Sequence, residues 1–197
     1  GVGSGQTSRT TAHLSYVLDD RFSHLCKMHG EQKTRLATDS HKAAINQIAM
    51  LIQEREIDCG FERVPGYLFL DEKHSIEFLK EELKAAHSVG LSNAEMLRVV
   101  PKNHEKTCYL GPCIHFPYQA QFHPMKYLSA LAELVIEMGG RIYGDSNVIK
   151  TTSHSNNDCE VETEAGQRVK SSAVVVATNS PINDRLKIHT KQAAYRS

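Results

Sequence analysis

The chain has no tryptophan, no net formal charge at neutral pH and no apolar run near the length of a membrane-spanning helix, about 18 residues. Charge balance removes the long-range attraction that draws basic proteins to nucleic acid or to anionic membranes. Cysteine is sparse and scattered, at Cys26, Cys59, Cys108, Cys113 and Cys159, with no Cys-x-x-Cys pair. A zinc ribbon, a redox dithiol and a disulfide framework are therefore all disfavoured. The histidines form no His-Glu-x-x-His and no tight His-x-His cluster, so no metal site is expected. No signal-peptide pattern opens the chain. The expectation is a soluble, cytoplasmic protein without a membrane span or a nucleic-acid partner.

What is present starts with a glycine- and hydroxyl-rich loop, Gly1-Val2-Gly3-Ser4-Gly5-Gln6-Thr7-Ser8-Arg9-Thr10-Thr11. Glycines let backbone N–H groups approach an anion closely, and a following helix would add its positive end. The pattern Ala12-His13-Leu14-Ser15-Tyr16-Val17 predicts that helix. The loop suggests contact with a phosphate-bearing cofactor; the alternative is a disordered start or an expression scar. It is not the dinucleotide fingerprint itself. Gln6 stands where Gly or Ala is needed, no strand precedes the loop, and Asp19 and Asp20 follow a helical run where a second strand is required.

Farther on, Leu36, Ala43, Ala44, Ile48, Leu51 and Ile52 recur at helical spacing, and Gly30 predicts a break between two helices within 21–56. Phe61 to Leu70 reads as strand, Pro65-Gly66 turn, strand, with Asp71 capping a helix to about His87. Ser92-Asn93-Ala94-Glu95 has the form of a capping box for a short helix stopped by Pro101. A strand through Cys108 to Phe116 follows. Pro124 opens a helix with the apolar face Met125, Leu128, Leu131, Ala132, Val135 and Ile136, and Gly139-Gly140 closes it. Short strands are expected at 141–143, 147–152, 159–163 and 168–170, with a hairpin turn at Glu164-Ala165-Gly166-Gln167. Ala173-Val174-Val175-Val176-Ala177 is an unbroken apolar run, the pattern of a strand buried on both faces. Its exit, Ala177-Thr178-Asn179, reads either as a close approach to a cofactor or as an ordinary strand end.

Taken in order, several segments resemble the flavin-dependent oxidoreductases of the D-amino-acid oxidase and glycine oxidase superfamily. They are Gly5-Gln6-Thr7-Ser8-Arg9-Thr10-Thr11-Ala12-His13-Leu14, Gly66 to Leu70, Gln119 to Leu128, Val175 to Asp184 and Ile188 to Gln192. The resemblance is nearer to members fused to a C-terminal Rieske domain, and it runs over essentially the whole chain. It implies an α/β fold: a partial, Rossmann-like, three-layer FAD-binding domain from residues 1–60 and 123–185. Residues 61–122 would form an inserted α/β substrate domain, and 186–197 would start the return into it. It also implies an internal fragment that lacks the N-terminal Gly-x-Gly-x-x-Gly unit and the C-terminal part.

FAD is the implied cofactor of the parent. A Rieske [2Fe-2S] centre would belong to the parent alone, because its Cys-x-His and Cys-x-x-His ligands have no counterpart here. Thr7, Ser8, Arg9, Thr10, Thr11, His13, Val148, Ala177, Thr178 and Asn179 are the implied cofactor contacts. Tyr67, His115, Gln121 and His123 are candidates for the substrate side. The implied activity is oxidation of an amine or amino-acid-like small molecule by hydride transfer to flavin, with oxygen or a redox partner as acceptor. The alternative is a non-catalytic, truncated or degenerate module that binds no cofactor. For the chain made alone, loss of the fingerprint predicts that FAD is not retained stoichiometrically.

Overall fold

A computed structural model describes residues 1–70, 73–98, 111–154 and 158–178. Two compact units emerge, Gly1–Ile142 and Tyr143–Ser197. In the first unit, a 3-10 turn at Gln6–Arg9 leads to β1 (His13–Leu14), α1 (Phe22–His29), α2 (Glu31–Glu54) and β2 (Glu62–Phe69). Then come α3 (Ile76–Ser88), β3 (Glu95–Leu97), β4 (Cys113–Gln121) and α4 (Pro124–Glu137). The second unit carries the antiparallel meander β5 (Val148–His154), β6 (Asp158–Thr163) and β7 (Arg168–Ser171).

β4 is the axis of the first unit. β2 runs antiparallel along one edge, from Glu62 opposite Gln121 to Phe69 opposite Cys113. The other edge is shared, with β1 at Ala120–Gln121 and β3 at Cys113–His115. Ile114, Phe116 and Ala120 turn to a core completed by Phe22, Leu79, Ala86, Val89 and Leu91. Phe22 of α1 meets Phe116 at 6.1 Å between ring centroids. Burial of such rings supplies most of the driving force.

Helix α1 lacks a cap of its own. Arg21 sits at its N-cap with φ +38 and makes no capping bond. The carboxyl of Glu82, fully buried on α3, takes that place, accepting from Phe22 N–H at 2.6 Å and Ser23 N–H at 2.9 Å. Gly30, at φ +81, separates α1 from α2 as its spacing predicts.

Five expectations are overturned. The helix expected at 12–17 is absent: Ala12 takes φ +66, and His13 and Leu14 pair with β4 more than a hundred residues away. Pro65-Gly66 is not a turn. β2 is continuous, and the register slips between Val64 and Gly66, a bulge that tolerates proline's missing N–H. Glu95 begins β3 instead of a helix, because its backbone finds a partner in β4. Residues 173–178 carry no strand; Val175 is 88% and Val176 45% exposed, and no described strand lies alongside to bond them. The strand expected at 141–143 is likewise not formed. Asp71 and residues 99–110 lie outside the described residues, as does Cys108. The helix after Asp71 starts at Ile76 with Ser75 at its N-cap. Among the described residues no helix is long and apolar enough to cross a membrane.

Candidate functional site

The glycine- and hydroxyl-rich loop folds into one wall of a cleft. Gly3 has φ +72, and a Cβ there would lie 2.6 Å from Met125 Cε, so the loop rests directly on the first turn of α4. Ser8 Oγ donates to Gly5 O at 3.0 Å, which closes the 3-10 turn. Thr10 Oγ1 accepts from Ala12 N–H at 3.3 Å, and the left-handed Ala12 then steers the chain into β1. These two bonds are local, and the contact with Met125 fixes the loop against α4.

The opposite wall is the end of β4 and the start of α4. Phe122 N–H donates to Ala12 O at 3.2 Å, and His123 N–H donates to Cys59 O at 2.7 Å. Three distant segments are thus pinned at one place. Pro124 occupies the first turn of α4, and His123 Nδ1 accepts from Lys126 N–H at 3.2 Å. Lys126 Nζ reaches Asp58 Oδ2 at 3.4 Å, an exposed pair that contributes little. Gln121 Nε2 donates to Glu62 Oε2 at 3.1 Å. Burial, the largest influence, pushes the Cys59 thiol up, so it stays protonated at neutral pH.

The resulting cleft is about 460 Å³. Thr7, Ser8, Thr10 and Thr11 line it together with Gln121 and His123. Ala12, Phe122, Pro124 and Met125 also line it, as do Cys59 and Gly60, which nothing in the sequence marked as part of a site. Among the described residues no carboxylate lines it. Hydroxyl, amide and imidazole groups share it with the apolar surfaces of Phe122, Pro124 and Met125, beside the positive end of α4. Such a surface suits a ligand rich in acceptors or bearing negative charge.

The other residues singled out in the sequence lie elsewhere. Arg9 and His13 are exposed and outside the cleft lining. Tyr67 and His115 face each other across β2 and β4, with ring centroids 5.3 Å apart. His115 Nδ1 lies 3.1 Å from Glu95 Oε1. Burial raises the Tyr67 phenol above its ordinary value. In the second unit, Val148 is the first residue of β5, and Ala177 and Thr178 are exposed in the segment after β7. Asn179 lies outside the described residues.

The sequence pattern of the family described as FAD dependent oxidoreductase (DAO) matches residues 1–192. The chain is 26% identical over 185 residues to the "Putative Rieske 2Fe-2S iron-sulfur protein YhfW" of Bacillus subtilis, covering 93% of this chain and 35% of that one. Glycine oxidase from Geobacillus kaustophilus superposes with a TM-score of 0.63 at 20% identity, over 89% of this chain and 46% of that one. L-amino acid deaminase from Proteus vulgaris gives 0.62 at 19%, over 87% and 38%. The chain therefore spans less than half the length of these relatives, and the structural likeness shows a shared α/β fold.

Proposed function

The chain belongs to the FAD dependent oxidoreductase family, and from that premise we propose that it is the portion of an amine- or amino-acid-oxidising enzyme that holds the flavin end of the cofactor. The observation that carries this reading is the single cleft where Thr7, Ser8, Thr10 and Thr11 face Gln121 and His123. The residues fit the group. Hydroxyls and backbone N–H groups match a ring system and polyol rich in acceptors, and no carboxylate is present to repel phosphate. At about 460 Å³ the cleft takes one end of FAD, not the whole dinucleotide.

A bound flavin supplies a two-electron acceptor for hydride leaving a carbon beside nitrogen. The chain's own residues do the rest. Thr10 and Thr11 would donate to the bound group from the loop wall. Gln121 and His123 are fixed by Glu62 and by the first turn of α4, so they present set donors rather than mobile ones. Arg9, exposed on the same loop but outside the cleft lining, would add positive charge near a bound group, and His13, exposed on β1, would do the same in this reading. Tyr67 and His115 belong on the substrate side in this reading.

Val148, Ala177, Thr178 and Asn179 would serve the remainder of the cofactor. Residues 1–60 and 123–185 would form the cofactor-holding part, with 61–122 as the cover and 186–197 as the start of the return. The names of the glycine oxidase and L-amino acid deaminase neighbours support an amino-acid-like substrate. Oxygen or a redox partner would remove the electrons.

Thr10→Leu with Thr11→Leu tests the reading in the full-length parent. Two bulky, donor-free side chains should weaken FAD binding by at least about an order of magnitude, a loss of about 1.4 kcal/mol. Flavin absorbance near roughly 370 and 450 nm, followed through dialysis, measures it. Undiminished flavin would sink the assignment. A parent that shows no flavin bands after incubation with FAD would favour the inert module instead.

A further inference from the structure

A second pocket, of about 330 Å³, lies between α2, β2 and the bulged stretch of β4. It shares no lining residue with the cleft described above. Its floor is Ile45, 4% exposed. Tyr16 and Tyr118 form aromatic walls, Asn46 and Asn93 bring amides, and Lys42 and Arg63 bring two positive charges. Among the described residues no carboxylate lines it.

Both cations are held in place by neutral groups. The Arg63 guanidinium donates to Asn46 Oδ1 at 2.7 Å and to Tyr118 O at 3.1 Å, and lies 5.4 Å from the centre of the Phe61 ring. Five N–H donors give it spare capacity after those two bonds. Lys42 Nζ sits 5.4 Å from the centre of the Tyr16 ring. Among the described residues neither cation is paired with a carboxylate. Tyr118 takes φ +63, unfavourable for a bulky side chain, and the residue stays 66% exposed. Two oriented positive charges, spare donors and aromatic walls around one concavity are complementary to a compact anion.

We propose that this pocket binds a small organic dianion, a dicarboxylate or a phosphate monoester, between Lys42 and Arg63. Two formal charges match two cations. The pocket is at the small end of the range for ligand sites, which suits a metabolite-sized molecule and excludes a dinucleotide. The site is independent of flavin, so its test is separate from that of the oxidoreductase reading.

Calorimetric titration of the full chain without flavin distinguishes the sources. Succinate probes the dicarboxylate, glycerol phosphate the phosphate monoester, and succinamide is the neutral control. Saturable one-to-one binding is expected for at least one dianion, weakening as salt rises, with none for succinamide. The tighter dianion identifies the headgroup. Lys42→Met keeps the aliphatic stem and removes only the charge, and should weaken binding about tenfold. Arg63→Met should do the same; because Arg63 also holds the Tyr118 carbonyl, Lys42→Met is the decisive variant. Lys84→Met, outside the pocket, should bind as the parent does. Absence of saturable binding for both dianions, or a Lys42→Met chain that binds as tightly as the parent, overturns the proposal.

Discussion

In the first unit the sheet built on β4 packs with α1 and α3, and Phe22, Leu79, Ile114 and Phe116 are at most 1% exposed. In the second unit the meander β5–β6–β7 carries no described helix, and Val169 stays 54% and Val175 88% exposed. Both stretches of sequence contain short runs of β-branched and apolar residues. The difference teaches that such a run forms a strand where a neighbouring strand receives it, as β5, β6 and β7 receive one another, and that only a second layer buries it.

The largest test of that contrast sets Phe116→Ala against Val169→Ser. The first empties a fully packed site and should cost about 3–5 kcal/mol of stability; the second should fall within about 0.5 kcal/mol. Denaturant midpoints measured on both variants decide it, and equal losses would place the core elsewhere. Next comes Glu82→Leu. It strands the N–H groups of Phe22 and Ser23 in a buried place, with an expected cost of about 3 kcal/mol. Glu82→Gln keeps one carbonyl oxygen and should lose less. Thermal unfolding of the pair checks the order, and a neutral Glu82→Leu would show that α1 contributes little to the first unit.

The smallest effect depends on pH. Burial, the largest influence, pushes the Tyr16 phenol up to about 12 from its ordinary 10.0, while the Gln119 side chain pulls it down and Tyr118 pushes it up. The folded state therefore keeps its proton where the unfolded chain loses it. Stability is unaffected below about pH 10 and falls between about 10 and 12, by up to about 2 kcal/mol. Tyr16→Phe should flatten this part of the alkaline limb. A wild-type and variant pair with parallel alkaline curves would refute the burial argument for this residue.

The helices were legible because their signals are local: the spacing of Ala44, Ile48 and Leu51, the break at Gly30 and the start at Pro124. The β5–β6–β7 meander was legible from its turn at 164–167. What failed depended on distant partners. Nothing near His13 announces that its backbone will meet Gln121. Pro65-Gly66 has the composition of a turn, yet β4 beside it draws it into a continuous strand, with the extra residue of the bulge carried by β4. In the cleft, Thr7, Ser8, Thr10, Thr11, Gln121 and His123 were marked by composition or by resemblance. Cys59 and Gly60 were not, because their place depends on His123 N–H reaching the Cys59 carbonyl across the fold.

The carboxyl of Glu82 also dictates an order of assembly. It stands 60 residues after the Phe22 N–H that it receives. A helix of eight residues is marginal in water by itself, and this one has no capping side chain of its own. While the chain is being synthesised, α1 must wait with its first turn bare to solvent until α3 has been made and has docked. Helix α1 is thus completed only after α3, more than fifty residues further along the chain.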